Sequence, residues 1–361
     1  MKKRFIALAA ASAAAILAVS GTQAQDKMVE VKLQLKWFPQ AQFAGFMVAK
    51  EKGYFKAEGL DVTLLPAGDQ SPIQVVQTGA ADFGTTWIAD LLTARSKGAP
   101  VVHIAQIFQK SGFTLVTLKK SGISKIADLK GKRIGVWPSG NEYPAIAALK
   151  AAGLTSSLDS TVASPDVQAV TFPFDPAVVF PDKVDAVSAM TYNEVDQIIG
   201  LGYPFSQLKI IKLADVGINL LEDLMFTSEK VLADANYKNS GMSGKEVAAK
   251  LVRASIKGWN YAVANQKEAV EIVLPQCGNT CKGSGSRADA KGHQTWQMQQ
   301  VALLYKAGST LKGMPGYLDP NAYKGSVKIL MDQGILKAAP DAKAVDYSVW
   351  EMATGKKAMM K

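Results

Sequence analysis

The sequence predicts an α/β protein of two lobes, with a hinge, a central ligand cleft and a helical C-terminal part. A length of 361 residues suits about two domains. Strand-type and helix-type segments alternate from residue 29 to 106, and the alternation restarts after Ser111 and Gly112. After residue 245 the strand signal fades. Ligands bind at the carboxyl ends of strands in open α/β sheets, so we expect one site in the cleft between the lobes.

The first 24 residues have the layout of a cleavable secretory signal. Lys2, Lys3 and Arg4 precede an apolar run at 5–19, and small or polar residues lead to a cleavage point after Ala24. The alternative is a transmembrane anchor, but the apolar run is shorter than the ~20 residues of a span. We expect an exported chain that is not embedded in a membrane.

The first part of lobe 1 is assigned to residues 25–112. Its predicted strands are 31–35, 60–65, 81–85 and 101–106, and its predicted helices are 43–52, 72–78 and 87–96. This strand–helix–strand alternation predicts a mainly parallel sheet covered on both faces.

Lobe 2 is assigned to residues 113–214, and the chain then returns to lobe 1 over residues 215–361. The predicted lobe 2 strands are 114–118, 133–137, 168–172, 186–189 and 209–212, with helices at 141–152 and 192–200. The returning part is predicted helical at 245–265, 266–274, 295–305 and 325–333. The crossings near 111–114 and 213–217 are the expected hinges.

Cys277 and Cys281 are separated by three residues. In an oxidising compartment a short-loop disulfide is the first interpretation, and free thiols are the alternative. A metal site is disfavoured because His103 and His293 are distant in sequence, and a redox-active pair has a two-residue spacing.

Four turns at strand ends carry an aromatic side chain together with amide, hydroxyl or acid groups. Their candidate ligand-binding residues are Trp37, Pro39, Gln40 and Gln42; Thr85, Trp87 and Asp90; Trp137, Ser139, Gly140 and Asn141; and Tyr192 and Glu194. Aromatic faces stack on rings, and the polar groups offer hydrogen bonds that orient them.

Each turn also has a purely structural interpretation. Trp37 and Phe43 could be core residues, Ser139 or Asn141 could cap a helix, and Thr191 with Glu194 could form a capping box. The coincidence of four such turns favours a ligand site.

Several function classes find no support in the sequence. The net charge of +10 invites a nucleic-acid partner, but three of the positive charges belong to the predicted signal and no basic cluster has interleaved aromatics. No nucleophile elbow, P-loop or dinucleotide-binding turn follows a strand. We expect no catalytic residue, cofactor, metal or nucleic-acid partner.

Residues 31–153 carry a series of specific motifs. They read LQLKWFPQAQFAG at 33–45, AKEKGYF at 49–55, EGLDV at 58–62, QTGAADFG at 77–84 and DLKGKRIGV at 128–136. TYNE at 191–194 and ASIKGW at 254–259 continue the match. The chain resembles the substrate-binding proteins of ABC importers, in the branch of sulfonate, nitrate and thiamine-pyrimidine-precursor binders that is related to thiamine-pyrimidine synthase.

The resemblance implies a type II periplasmic-binding-protein fold that closes on a small solute and delivers it to a membrane permease. It implies a periplasmic protein, expected to act as a monomer, that binds a flat heteroaromatic such as a formylaminopyrimidine, a hydroxymethylpyrimidine or a related ring. Trp37, Pro39 and Gln40 match the ring-binding turn of that branch. Tyr192 and Glu194 match its pyrimidine-binding pair, in which a carboxylate accepts from ring N–H groups.

Departures from the family separate the alternatives. Phe43 stands where many pyrimidine relatives have His, and residues 218–227 lack the cysteines of the synthase. Thr86 and Asp90 stand where the synthase has its cofactor-anchoring Lys and its His. These departures disfavour a synthase-like enzyme. An alkylsulfonate or other oxyanion binder that uses Ser139, Gly140 and Asn141 at a helix start remains a further alternative.

Overall fold

The computed structural model describes residues 28–359, so the predicted signal at 1–24 lies outside the described residues. Within this range the strands are β1 (Val29–Gln34), β2 (Leu60–Leu65), β3 (Phe83–Thr86), β4 (Val101–Gln106), β5 (Phe113–Leu118), β6 (Arg133–Val136), β7 (Gln168–Thr171), β8 (Ala186–Met190), β9 (Leu208–Lys212) and β10 (Leu224–Ser228). The α-helices are α1 (Ala44–Glu51), α2 (Tyr54–Ala57), α3 (Pro72–Gln77), α4 (Ile88–Ser96), α5 (Tyr143–Ala151), α6 (Glu194–Gly200), α7 (Glu229–Ala233), α8 (Gly244–Ala264), α9 (Gln266–Cys277), α10 (Ala290–Tyr305), α11 (Gly308–Leu311), α12 (Pro320–Asp332) and α13 (Tyr347–Thr354).

The strands form two five-stranded sheets, ordered β2-β1-β3-β10-β4 and β7-β6-β8-β5-β9. In the first sheet β1 runs parallel to β2 and β3, whereas β10 runs antiparallel to β3 and β4. In the second sheet β6 runs parallel to β7 and β8, whereas β5 runs antiparallel to β8 and β9. Four strands of each sheet therefore run in the same direction, which confirms the predicted mainly parallel arrangement, and one strand, β10 or β5, runs against them. β5 and β10 each enter their sheet from the other lobe, without the helical crossover that makes neighbouring strands parallel.

Two segments link the sheets. The chain leaves β4 at Gln106 and enters β5 at Phe113, and it leaves β9 at Lys212 and enters β10 at Leu224. The sequence does not predict β10, because it shows no alternation of polar and apolar residues there. This lack of alternation is typical of a strand that is covered on both faces, and all five residues of β10 are buried.

The two linking segments are bonded to each other. Glu222 is buried and accepts hydrogen bonds from Ser111 Oγ at 2.5 Å and from Gly112 N at 2.7 Å. The Ser111 N–H also donates to Asn219 Oδ1 at 3.0 Å. A buried carboxyl thus joins both crossings at one point.

The helical return packs behind the turn that follows β1. Helix α8 begins with a capping box of Ser243 and Glu246 and lies against α1. Its Gly258 is required there, because a Cβ would come within 2.1 Å of the Gly45 carbonyl oxygen of α1. Trp259 is fully buried and stacks on Tyr305 of α10, with ring centroids 5.5 Å apart.

Cys277 and Cys281 form a disulfide at the end of α9, with their Cα atoms 5.2 Å apart. The loop that it closes supports the turn after β1. Thr280 Oγ1 donates to the Pro39 carbonyl at 3.0 Å. Gln294 accepts from Ala41 N at 2.7 Å and donates to the Cys281 carbonyl at 2.9 Å. This part of the return therefore fixes a cleft turn of the first lobe.

Candidate functional site

A cleft of about 330 Å³ lies between the two sheets. Its lining comes from all four strand-end turns: Lys36, Trp37, Gln40, Gln42, Trp87, Trp137, Asn141, Met190, Tyr192, Asn193 and Glu194. The turns after β1 and β3 contribute the first-lobe residues, and those after β6 and β8 contribute the second-lobe residues. Eight of the predicted site residues thus meet in one cavity although they are far apart in sequence.

The cleft has aromatic walls. Trp37 lines the cleft and contacts Phe174 of the second lobe edge-on, with ring centroids 5.3 Å apart. Deeper in, Phe113 lies edge-on to both Trp87 and Trp137, at 6.1 and 5.8 Å. Among the described residues, the indole N–H groups of Trp87 and Trp137 have no hydrogen-bond partner. Buried indole N–H groups usually have one, so the walls combine aromatic surface with unused donors.

Tyr192 and Phe43 have different positions relative to this cavity. Tyr192 is buried and lines the cleft, with its ring 6.0 Å from Phe108. Burial raises the pKa of its phenol well above the ordinary value, with nearby Asp223 and Glu222 adding to the effect. Phe43 is fully buried in the hydrophobic core, as the structural alternative expects.

Lys36 is a buried cation of the cleft lining, and the carboxylate of Asp90 compensates its charge. Its Nζ forms an ion pair with Asp90, and the two side chains are 5% and 9% exposed. The Thr86 hydroxyl donates to the same carboxylate at 3.1 Å, and Thr85 Oγ1 accepts from the Lys36 N–H at 2.8 Å. Lys36 Nζ also lies 5.1 Å from the centroid of the Trp87 ring. Thr85 and Asp90, both predicted as ligand contacts, hold Lys36 and are absent from the lining.

Glu194 is the buried carboxyl of the second lobe. Its Oε2 accepts from Met190 N at 2.8 Å, and its Oε1 accepts from Asn193 Nδ2 at 2.6 Å. Burial raises the pKa of this carboxyl to about 7, although the hydrogen bonds oppose the shift. Helix α6 begins at Glu194 itself, after Asn193, with no capping side chain. The alternative of a capping box from Thr191 to Glu194 is therefore wrong.

Two amides of the first lobe form a directed hydrogen-bond chain along the cleft floor. Gln40 Nε2 donates to Gln42 Oε1 at 2.9 Å, and Gln42 Nε2 donates to Asp223 Oδ2 at 2.8 Å. Asp223 is buried, and burial raises its pKa to about 7. The orientation of both amides is fixed by this chain.

Besides Thr85 and Asp90, three predicted site residues lie outside the cleft lining: Pro39, Ser139 and Gly140. The Pro39 carbonyl accepts from Thr280, and Pro39 itself does not line the cleft. Ser139 and Gly140 line a separate groove of about 1260 Å³. Helix α5 begins only at Tyr143, and neither Ser139 nor Asn141 caps it.

The geometry at Ser139 and Gly140 opposes an anion site. The Gly140 N–H donates to Glu142 Oε2 at 2.8 Å. A Cβ on Gly140 would also meet Asp90 Oδ1, so two carboxylates already surround this backbone. An added anion would be repelled by both.

Sequence reasoning missed Lys36, Met190 and Asn193 in the lining. All three lie within three residues of a strand end and within two residues of a predicted site residue, and this proximity could have identified them. It also missed His293 and Gln297 of α10, which lie behind the cleft and bond to Asn193. No local pattern marks these two.

The described residues offer neither a metal site nor a membrane-spanning helix. Over residues 28–359, no group of three His, Cys, Asp or Glu side chains is arranged to hold a metal ion. In the same range, no helix is long and apolar enough to cross a bilayer.

The chain is similar to proteins named as binding proteins and, over a shorter stretch, to proteins named as synthases. The riboflavin-binding protein RibY of Chloroflexus aurantiacus is 28% identical over 92% of this chain and 88% of its own length. The formylaminopyrimidine-binding protein of Halalkalibacterium halodurans is 27% identical over 71% of this chain and 73% of its own. The 4-amino-5-hydroxymethyl-2-methylpyrimidine phosphate synthase of Legionella pneumophila is 31% identical, but over only 29% of this chain and 34% of its own.

Solved structures confirm the predicted periplasmic-binding-protein fold. The ligand-binding component of an ABC-type import system from Staphylococcus aureus has a TM-score of 0.62 at 14% identity, covering 91% of this chain and all of its own. The alkanesulfonate-binding protein SsuA from Xanthomonas axonopodis has a TM-score of 0.59 at 13% identity, covering 89% of this chain and 99% of its own. The family model described as NMT1/THI5 like matches residues 40–269. The chain therefore belongs to the NMT1/THI5-like family, as its motifs predict.

Proposed function

We propose that this protein is the solute-binding protein of an ABC importer. After removal of the signal at 1–24 it acts in the periplasm as a monomer and delivers its ligand to a membrane permease. Its ligand is a small flat heteroaromatic, such as formylaminopyrimidine, hydroxymethylpyrimidine or a related ring. The observation that carries this proposal is the cleft in which Trp37, Trp87, Trp137 and Tyr192 surround buried Glu194.

The shape of the cleft supports a flat ligand. Two indole walls and a phenol come from both lobes, so a ring held between them would contact both lobes at once. Aromatic faces contribute most to a partner that is itself flat and apolar on its faces. The relatives named for riboflavin and formylaminopyrimidine, both heteroaromatic compounds, agree with this choice.

The charge of the cleft favours a ring that donates N–H groups rather than an oxyanion as the ligand. Among the lining residues that the structure describes, Lys36 is the one cation, and Asp90 already pairs with it. Glu194 offers a carboxyl, and Asp223 places a second one behind the amides. A sulfonate would find no unpaired cation here, so the alkylsulfonate alternative is the weaker one.

A synthase-like enzyme is likewise disfavoured. By the family resemblance Thr86 and Asp90 stand at the positions of the synthase Lys and His; here Asp90 pairs with Lys36, and the Thr86 hydroxyl donates to Asp90. The similarity to proteins named as synthases spans less than a third of this chain.

Delivery requires that the cleft open and close, and we propose lobes of residues 25–112 with 215–361 and of residues 113–214. The segments 107–112 and 213–223 would bend, because they are where the chain passes between the sheets. Small-angle scattering should show compaction when ligand saturates the protein. An unchanged radius of gyration at saturation would contradict a closing cleft.

Ligand titration tests the proposed function. We expect quenching of tryptophan fluorescence by at least one of hydroxymethylpyrimidine, formylaminopyrimidine and riboflavin, and no competition from an alkanesulfonate. Trp37→Ala and Glu194→Gln should each weaken binding about tenfold or more, because each removes one stacking face or one charge-assisted bond.

Matched controls are available on the same chain. Phe205→Ala removes a half-exposed aromatic ring outside the cleft, and Glu51→Gln removes an exposed carboxylate. Both should bind as the unaltered protein does. Failure of every ring to bind, or tighter binding of the sulfonate, would overturn the proposal.

A further inference from the structure

A buried set of polar side chains connects helix α10 to the cleft carboxyl. His293 of α10 is fully buried between two residues of the second lobe. Its Nδ1 lies 2.7 Å from Asp196 Oδ2, and its Nε2 lies 2.9 Å from Asn193 Oδ1. Oxygen faces both ring nitrogens, and a neutral imidazole has only one N–H to donate. Satisfying both contacts requires the imidazolium form.

The Asn193 amide transmits this arrangement to the cleft. Its Oδ1 accepts from His293 and also from Gln297 Nε2 at 2.8 Å, so its Nδ2 is turned toward Glu194 Oε1 at 2.6 Å. The second N–H of Gln297 donates to Gln40 Oε1 at 3.1 Å. Gln297 then has no hydrogen left for His293 Nε2, which also lies 3.1 Å away. The amide therefore donates to Glu194 because its oxygen is already occupied.

We infer that His293 is a positioning residue for ligand binding: as an imidazolium paired with Asp196, it fixes the Asn193 amide and keeps Glu194 a carboxylate. This inference rests on the proposed function and narrows it. The cleft then selects rings whose edge donates N–H groups, such as aminopyrimidines, over rings of the same shape that cannot donate there.

The competing arrangement has the same number of protons. A neutral His293 would accept from a reversed Asn193 amide, and Glu194 would hold the proton and donate to the amide oxygen. Burial raises the pKa of Glu194 to about 7, so its own environment leaves the two forms close, and the orientation of the amide decides between them.

Asp196, His293, Asn193 and Glu194 form a hydrogen-bonded relay. Other charged groups lie at its two ends. Arg287 Nε lies 2.6 Å from Asp196 Oδ1 and shares that carboxylate with His293. At the other end Asp175 raises the pKa of Glu194 further. The backbone of Gly283 packs against the His293 ring, so the loop that follows the disulfide closes the site from outside.

Histidine-selective 15N labelling tests the inference without any ligand. The chain has only two histidines. His103 is buried beside Gln106, and burial lowers its pKa to about 4, so it should show one N–H at pH 7. His293 should show two, and His103→Gln assigns its signals by removing the others. A single N–H on His293 would overturn the inference.

Binding measurements supply the second readout. Hydroxymethylpyrimidine, which carries an amino group, should bind about tenfold tighter than 5-hydroxymethyl-2-methylpyrimidine, which lacks only that amino group, because one charge-assisted hydrogen bond is lost. His293→Gln and Asp196→Asn should abolish that preference, whereas His103→Gln should retain it. A His293→Gln protein that keeps the full preference would contradict the positioning role.

The two readouts separate the inference from the function on which it rests. If the unaltered protein binds neither these pyrimidines nor formylaminopyrimidine nor riboflavin, the proposed ligand class fails, and the labelling experiment still decides the state of His293. If the pyrimidines bind but His293 carries one N–H, the ligand class stands and the relay is wrong.

Discussion

The two lobes share one sheet topology and differ in what they bring to the cleft. Strands β2, β1, β3, β10 and β4 of the first sheet hold the same places as β7, β6, β8, β5 and β9 of the second. In both lobes the aromatic turns follow the second and third strands of this order. Trp37 and Trp87 lie on one side, and Trp137 and Tyr192 on the other. The shared topology therefore accounts for the paired stacking surfaces.

The polar groups break this likeness. The first lobe has a buried ion pair of Lys36 and Asp90, and the disulfide loop supports its first turn. The second lobe has Glu194, a carboxyl held by one backbone N–H and one amide. The first-lobe turns are fixed by compensated charge, whereas the second lobe presents a carboxyl to the cleft with no cation of the described residues paired to it. Equivalent positions of the two sheets therefore have different roles. Those of the first lobe stabilise the turns, and Glu194 of the second lobe is proposed to bind the ligand.

The largest expected effect comes from removing the buried Lys36–Asp90 ion pair, the brace of the first-lobe turns. Asp90→Asn leaves Lys36 buried without its counter-ion, and an uncompensated buried charge costs about 3–5 kcal/mol. The free energy of unfolding in urea should fall by about this amount. Asp61→Asn is the matched control, since Asp61 is exposed on β2, and it should change stability little. Equal unfolding midpoints for the two variants would show that the ion pair is not a brace.

A second prediction concerns the place where the lobes meet. Gly140 of the second lobe has φ +94°, and a Cβ there would lie within van der Waals overlap of Asp90 Oδ1. Gly140→Ala should therefore hold the lobes apart and weaken ligand binding by up to about 3 kcal/mol, the range for overpacking. Gly98→Ala isolates the contact, because Gly98 has φ +92° and open space around it. Ligand affinities that fall equally in both variants would assign the effect to backbone strain.

Removing the disulfide should have a smaller effect, confined to the first lobe. Replacing Cys277 and Cys281 by Ser opens a short loop, for which chain entropy gives about 2 kcal/mol of lost stability. Thermal unfolding should shift down by several degrees. Reductant should destabilise the unaltered protein and leave the double variant unchanged. A reductant effect on both would exclude the disulfide as its cause.

The sequence predicts the features that depend on local pattern and misses those that depend on distant residues. Strand ends follow from apolar runs and turn residues, so β2 and β4 match their predicted bounds and the four aromatic turns were found. Lys36 was missed because an isolated lysine is expected at the surface. Its burial makes sense only once folding brings Asp90 beside it, 54 positions away.

Long-range contacts explain the remaining misses. β10 lacks alternation because both of its faces are covered, and its antiparallel pairing depends on the path of the chain through the other lobe. His293 and Gln297 reach the cleft from a helix about a hundred residues after Asn193. Helical periodicity places such residues on a buried face without indicating what they contact.

Two buried carboxyls outside the His293 cluster predict the sign of the pH dependence of stability. Burial raises the pKa of Asp223 to about 7 and that of Glu222 to about 8. In the unfolded chain these groups have lost their protons well below pH 6.5. The folded state then binds more protons than the unfolded state, so stability should fall as pH rises from 6.5 to 8.5.

Substitution separates the hinge carboxyl from the cleft carboxyl in this pH range. Glu222→Gln should flatten the fall in melting temperature, an effect of a few degrees, because Glu222 has the higher of these two pKa values and joins both crossings through Ser111 and Gly112. It should leave the pH profile of ligand affinity in place. Glu194→Gln should instead alter the affinity profile, since Glu194 lines the cleft. Melting curves and titrations at the same pH values compare the two variants. If Glu222→Gln changes the affinity profile as much as Glu194→Gln does, the protonation of Glu222 is coupled to that of Glu194, and the two carboxyls do not have separate roles.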